Sequence, residues 1–229
     1  TRVDILVTPL VTIFSGVGLS MLIAAPIGTA ASQVGTLIMW ATEQAPLAMG
    51  ILVSVIVGVA LTLPISSAAI CAALGLTGLA GGAAVAGCCA QMIGFAVMSY
   101  KENGVGGLVS QGLGTSMLQM GNIVKNPRIW IAPTLASAIT GPLATCVFHF
   151  EMNGAAVSSG MGTCGLVGQI GVYTGWVSDI AACTKAAITP VDWAAMVLLC
   201  FVLPAVLSVI FCEIERKLGW IKEGDLKLN

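Results

Sequence analysis

Two short stretches hold most of the polar side chains that could recognise a ligand. Glu102-Asn103-Gly104 precedes Gly112-Leu113-Gly114-Thr115-Ser116 and Gln119, and Glu151-Met152-Asn153-Gly154 precedes Gly160-Met161-Gly162-Thr163-Cys164 and Gln169. The order is the same in both: an acid, Asn-Gly, an apolar spacer, G-x-G-T with a small polar or thiol residue, then glutamine. The copies lie about 48 residues apart, which reads as an internal repeat. Ser15-Gly16-Val17-Gly18-Leu19-Ser20 is a weaker echo. A carboxylate accepts two hydrogen bonds from adjacent hydroxyls, and Asn, Gln and Thr supply donors and acceptors. Glycines let the backbone turn and approach a ligand without an intervening side chain. This is chemistry for holding a polar ligand rather than for breaking a bond.

The candidate binding residues are therefore Glu151, Asn153, Thr163 and Gln169 in one copy and Glu102, Asn103, Thr115 and Gln119 in the other. Glu102 has Lys101 as an alternative partner. His149, the one histidine, stands where a long apolar run meets the second polar stretch, and an ionisable group at a membrane span is a functional candidate by default. A solvated position at the interface is the alternative for it. Helix packing through small residues is an alternative for the glycines, but it accounts poorly for the acids and glutamines.

Other chemistries lack their residues. There is no G-x-x-x-x-G-K-[ST], H-E-x-x-H or G-x-S-x-G, so ATPase, zinc-protease and serine-hydrolase readings have no motif. The eight cysteines lie mostly in apolar runs without metal spacing, and the vicinal Cys88 and Cys89 would point different ways on a helix. They read as small buried hydrophobes. No cofactor is implied, and a net charge of −1 gives no footprint for nucleic acid.

The elements that carry these residues are set by composition. The chain is 57% hydrophobic and only 8% charged, with mean hydropathy +1.00, against about 25% charged in soluble domains. Lipid, not water, must solvate much of its surface, and an all-α integral membrane fold follows. A span needs roughly 20 apolar residues, and about five stretches qualify: 4–26, ending at Pro26, 46–63, 79–100, 128–149 and 191–212. Residues 29–44, with Gln33, Trp40 and Glu43, read as interfacial. Segments 64–78, 103–120 and 153–172 are too polar or glycine-rich for plain spans and too apolar for loops, so they read as re-entrant hairpins lining protein or a wet cavity.

Residues 1–212 form the membrane domain and 213–229 a charged, water-exposed tail. The chain begins at Thr1 without methionine, which suggests the C-terminal part of a longer polypeptide. Arg216, Lys217, Lys222 and Lys227, with Lys125 and Arg128, place the tail and one loop in the cytoplasm, while Arg2 falls on the other side. On this topology the 102–120 and 151–171 elements enter from opposite sides with tips that face each other, as paired broken elements do in transporters.

From Lys101-Glu102-Asn103-Gly104 through Gln119-Met120-Gly121-Asn122-Ile123-Val124-Lys125-Asn126-Pro127, and again from Ile131-Ala132-Pro133-Thr134-Leu135 through Gly141-Pro142-Leu143-Ala144-Thr145, the chain resembles the membrane component, enzyme IIC, of the bacterial sugar phosphotransferase system. More closely, it is similar to the branch that includes the perfringolysin regulator proteins. The resemblance implies a homodimeric permease subunit in the bacterial inner membrane. It would bind and translocate a sugar or polyol for phosphorylation by a partner enzyme IIB, itself supplied by enzyme IIA. It implies a carboxylate and often a histidine at the sugar, and Glu151 and His149 are the nearest matches. Relatives that transport sugar commonly carry Thr-Glu preceded by glycine, whereas here the acid follows His149-Phe150. A membrane sensor or regulator without transport, or a small-solute channel, is the alternative function.

Overall fold

The computed structural model describes residues 4–228. They form α1 (Asp4–Gln44), α2 (Pro46–Thr62), α3 (Ser67–Leu74), α4 (Gly78–Met98), α5 (Tyr100–Val109), α6 (Met120–Lys125), α7 (Ile131–Pro142), α8 (Val167–Ala181), α9 (Pro190–Val197) and α10 (Leu203–Lys217), joined by short 3₁₀ and π-helical turns. Extended pairing among the described residues is limited to one antiparallel bridge, Gly78 with Met152. The fold is all-α, as composition requires. Among the described residues, three helical runs are long and apolar enough to cross a membrane, Gly78–Met98, Pro127–Val147 and Pro190–Lys217, and Pro46–Thr62 is a shorter apolar helix.

The centre is α4. Its sequence is apolar on every side, a pattern that belongs inside a bundle, and only Gly78, Leu79, Ile93 and Val97 are not fully buried. Its small residues set how near the neighbours come. A Cβ on Gly82 would run into the carbonyl of Phe150, and one on Gly87 into the main chain of Ser54 on α2. Only glycine permits backbone-to-backbone contact at these two points. Hydroxyls close the same interfaces. Ser54 Oγ donates to the Ser137 carbonyl at 2.8 Å and Thr145 Oγ1 to the Pro46 carbonyl at 2.7 Å, so these buried hydroxyls have partners. Cys88 and Cys89 do face different ways: Cys88 packs with Val57 and Cys71, Cys89 with Phe150 and Cys200.

The direction of the chain explains the segment after α2. Gly50 packs at Gly141 and Thr145, and Gly58 at Gly87 and Gln91, so α2 and α4 run the same way and α7 runs against both. Thr62 is level with Gln91, to which it donates at 3.3 Å. That is about 20 Å along α4 from Gly78, at 1.5 Å per residue. The connection must come back across that depth. It does so through α3, capped by Ser66 Oγ, which accepts from the Ala69 amide at 3.1 Å, and held where Ser67 Oγ donates to the Gly160 carbonyl at 2.7 Å.

Two expectations are corrected. The first span does not end at Pro26: α1 is one helix of 41 residues that runs on through 29–44. A proline removes one hydrogen bond from a helix, and the rest of the ladder carries α1 through it. Polar residues inside α1 turn back on the helix itself, with Thr36 Oγ1 donating to the Ser32 carbonyl and Thr42 Oγ1 to that of Ile38. Residues 213–228 are water-exposed only in part. Through Lys217 they continue α10, and beyond it the chain folds back so that Ile221 and Leu226 are 3% and 0% exposed in a cluster with Phe95, Met98, Ile123 and Cys212. Arg2 lies outside the described residues. In the last run a π turn, Leu198–Val202, opens beneath Pro204, whose ring would otherwise press on the carbonyl one turn back.

Candidate functional site

A polar cavity of about 420 Å³ opens at the Gly78 end of α4, lined chiefly by His149, Glu151, Asn153, Trp176, Asp179, Lys185 and Asp192. The segment that feeds it is short and extended. The π turn Leu143–Val147 closes with the Phe148 amide on the Leu143 carbonyl at 3.0 Å, and the Phe150 amide reaches the Ala144 carbonyl at 2.8 Å. His149 between them takes a left-handed φ of 44°. Gly78 and Met152 then exchange both backbone hydrogen bonds at 3.0 Å. In extended backbone alternate side chains point to opposite sides. Phe150 and Met152 enter the core at 3% and 0% exposure, and His149, Glu151 and Asn153 face out to the cavity. The alternation His-Phe-Glu-Met-Asn is the sequence signal for this arrangement.

Asn153 organises the charges. Its Nδ2 donates to Glu151 Oε2 at 3.1 Å and to Asp179 Oδ2 at 2.9 Å, and its Oδ1 accepts from the Gly78 amide at 3.1 Å. One neutral carboxamide thus holds two carboxylates and is itself held by the start of α4. A carboxylate has about four lone-pair sites, so each keeps acceptor capacity beyond this contact. Opposite them, Lys185 Nζ pairs with Asp192 Oδ1 at 2.7 Å and stands 5.5 Å from the centre of the Trp176 ring. Asp192 is fixed in turn by a capping box, with Thr189 N and Oγ1 donating to Oδ2 at 2.7 and 2.8 Å and the Asp192 amide donating to Thr189 Oγ1 at 3.3 Å. Asp179, Lys185, Trp176 and Asp192 were not among the binding candidates of the sequence. Thr189-Pro190-Val191-Asp192 before an apolar run is the signal that marks Asp192.

The remaining candidates lie elsewhere. The glycine turns of the two repeat copies meet: Thr163 Oγ1 donates to the Gly112 carbonyl at 2.6 Å and lies 3.5 Å from Met92 Sδ, in the second half of α4. Thr115 ends the first turn, its Oγ1 accepting from the Met117 amide at 3.1 Å. Close by, the Ser116 and Thr62 hydroxyls are 2.9 Å apart, and Gln91 joins Thr62, Thr134 and the Trp130 indole. Gln169 is buried with Nε2 on Cys89 Sγ at 3.2 Å and no partner for Oε1 among the described residues. Glu102, Asn103 and Gln119 sit at the opposite end of α4 from the cavity. There they bind the chain's own C-terminal segment: Glu102 pairs with Arg216 at 3.2 Å, and all three hydrogen-bond Leu226. The two copies therefore share a meeting point but not a cavity.

What the cavity offers is a ring of hydrogen-bond acceptors with one cation and an indole in its wall. That set suits a neutral polyhydroxylated molecule, and the described residues bring together no group of three or more potential metal ligands. No curated protein and no solved structure matches the chain. Among protein families, residues 1–228 match the one described as "Phosphotransferase system, EIIC". With apolar helices built around a buried glycine-rich core, the chain belongs to the enzyme IIC family of membrane components of the phosphotransferase system.

Proposed function

We propose that this chain is the sugar-binding and sugar-translocating subunit of its phosphotransferase system, working as a homodimer in the bacterial inner membrane. A sugar or polyol would rest in the cavity at the Gly78 end, with Glu151 and Asp179 accepting hydroxyls, Asn153 setting their spacing and His149 at the mouth. It would then be released toward enzyme IIB, which receives its phosphoryl group from enzyme IIA. The observation that carries this reading is the convergence of His149, Glu151, Asn153 and Asp179 on one cavity of ligand size. The end of α4 that holds the tail would face the cytoplasm. Every described lysine and arginine except Lys185 belongs to that end or to the segments packed on it, in keeping with the excess of positive charge on cytoplasmic loops.

The test is binding of a panel of sugars and polyols to the purified protein by calorimetry, in wild type and Glu151→Gln. A hydrogen bond to a charged group contributes about 1.5 to 3 kcal/mol, so affinity for the sugar that binds is expected to fall about ten- to a hundredfold, with the melting temperature little changed. Equal affinity in the two proteins would reject Glu151 as a ligand. Binding without flux in vesicles loaded with the partner enzymes would support a sensor that keeps the fold, a reading that the docked tail favours.

A further inference from the structure

The end of α4 away from the cavity holds a second built site. Five side chains from residues 102–126 converge on the C-terminal segment. Glu102 Oε2 accepts from the Leu226 amide at 2.9 Å, while its Oε1 accepts from Arg216 at 3.2 Å. Asn103 is bidentate, with Nδ2 donating to the Leu226 carbonyl at 2.8 Å and Oδ1 accepting from the Leu228 amide at 2.8 Å. Gln119 Nε2 adds a bond to the Leu226 carbonyl at 2.9 Å, and Asn122 Nδ2 one to the Lys227 carbonyl at 2.9 Å. Asn126 Nδ2 donates to the Trp220 carbonyl and to Asp225 Oδ2, both at 2.9 Å. Between these contacts the Leu226 side chain is wholly buried among Phe95, Met98 and Ile123.

A carboxamide carries a donor and an acceptor side by side, as a peptide group does. Asn103 satisfies the carbonyl of one residue and the amide of the residue two further on, the pairing that a neighbouring strand would give an extended chain. With Ile221 and Leu226 as apolar anchors, this holds a peptide through its main chain with little reference to its other side chains. We infer that Glu102, Asn103, Gln119, Asn122 and Asn126 form a seat for the main chain of a turned peptide, and that the chain's own residues 220–228, which turn at 222–227, are its occupant, a detachable strap. The seat is part of the working core. Gln119 passes its hydrogen bond to Gln111 at 2.9 Å and Gln111 to Ser99 at 2.7 Å, and the next residue, Gly112, receives Thr163 at the meeting of the two glycine turns. Seating of the strap therefore sets the position of the 102–119 element. This inference does not depend on which ligand the cavity takes.

The test uses the full chain in lipid nanodiscs and a labelled synthetic peptide of residues 219–228. In wild type the strap fills the seat and the peptide binds weakly. In Leu226→Asp the anchor is expelled, and the peptide is expected to bind on the order of tenfold tighter or better than to wild type. Adding Asn103→Ala to that variant is expected to abolish the gain. Equal binding to wild type and Leu226→Asp, or a gain that ignores Asn103, would overturn the inference. Hydrogen exchange on wild type alone gives a second reading that no folding defect can obscure. The Leu226 and Leu228 amides are expected to be protected together with those of 104–119, and open-chain exchange at Leu226 and Leu228 would equally overturn it.

Discussion

Glu102 and Glu151 stand in nearly the same local sequence, and the structure gives them different surroundings. Glu151 opens on the cavity. Glu102 is taken by Arg216 and by the Leu226 amide, a residue 124 positions away. No local pattern carries that distance, so the acids were legible as polar features of a membrane protein but not as members of different sites. His149, Glu151 and Asn153 could be grouped from sequence because they alternate with Phe150 and Met152. Asp179, Lys185 and Asp192 could not, since they come from α8, the connection after it and α9. At this scale Asn153 is the residue to change. Asn153→Ala removes the donor that Glu151 and Asp179 share among the described residues and leaves the two carboxylates without it. Ligand affinity is expected to fall about tenfold, the effect of one charged hydrogen bond. Calorimetry on the variant, with exchange of the Gly78 amide as a check that its anchor has been lost, measures it.

Among the elements, the helices were legible where apolar residues ran without interruption, and the glycine-rich segments were legible as something other than plain spans. Their form was not. Residues 64–78 became a returning segment built on α3 because two parallel neighbours, α2 and α4, leave about 20 Å to recross, a fact of packing. Pro26 looked like an end and was not one. The two glycine turns also differ in a way their shared motif conceals. A Cβ at Gly114 would meet nothing within 4 Å, whereas Gly162 has φ +55° and a Cβ there would lie 2.7 Å from Cys88 Cβ. In a background without native cysteines, Gly114→Cys is expected to react readily with a water-soluble maleimide and to melt like its parent. Gly162→Cys is expected to lower the melting temperature, at a cost of about 1 to 3 kcal/mol for overpacking, and to react slowly. Thermal unfolding and labelling rates on the pair check both statements.

For the whole molecule, α4 has 21 residues, about 31 Å at 1.5 Å per residue, which matches the hydrocarbon core of a bilayer. The cavity lies at one end of it and the strap at the other, so the two sites would face opposite sides of the membrane. Single cysteines at Thr184 and Glu223 are expected to label from opposite sides with an impermeant reagent, Thr184 in intact cells and Glu223 only after permeabilisation. Labelling of both from one side would reject the arrangement. The membrane character and the family were legible from composition and from two motif stretches. The folded tail was not, because its charged residues conceal two apolar anchors, Ile221 and Leu226.

The glycine contacts of α4 carry a mechanical meaning. Where Gly82 and Gly87 bring main chain against main chain, no layer of side chains remains to change rotamer and let one helix slide over another. If the chain alternates access as proposed above, that interface would serve as the axle, and the parts to turn about it would be the α8 wall of the cavity on one side and the 102–119 element on the other, which touch at the Thr163–Gly112 hydrogen bond.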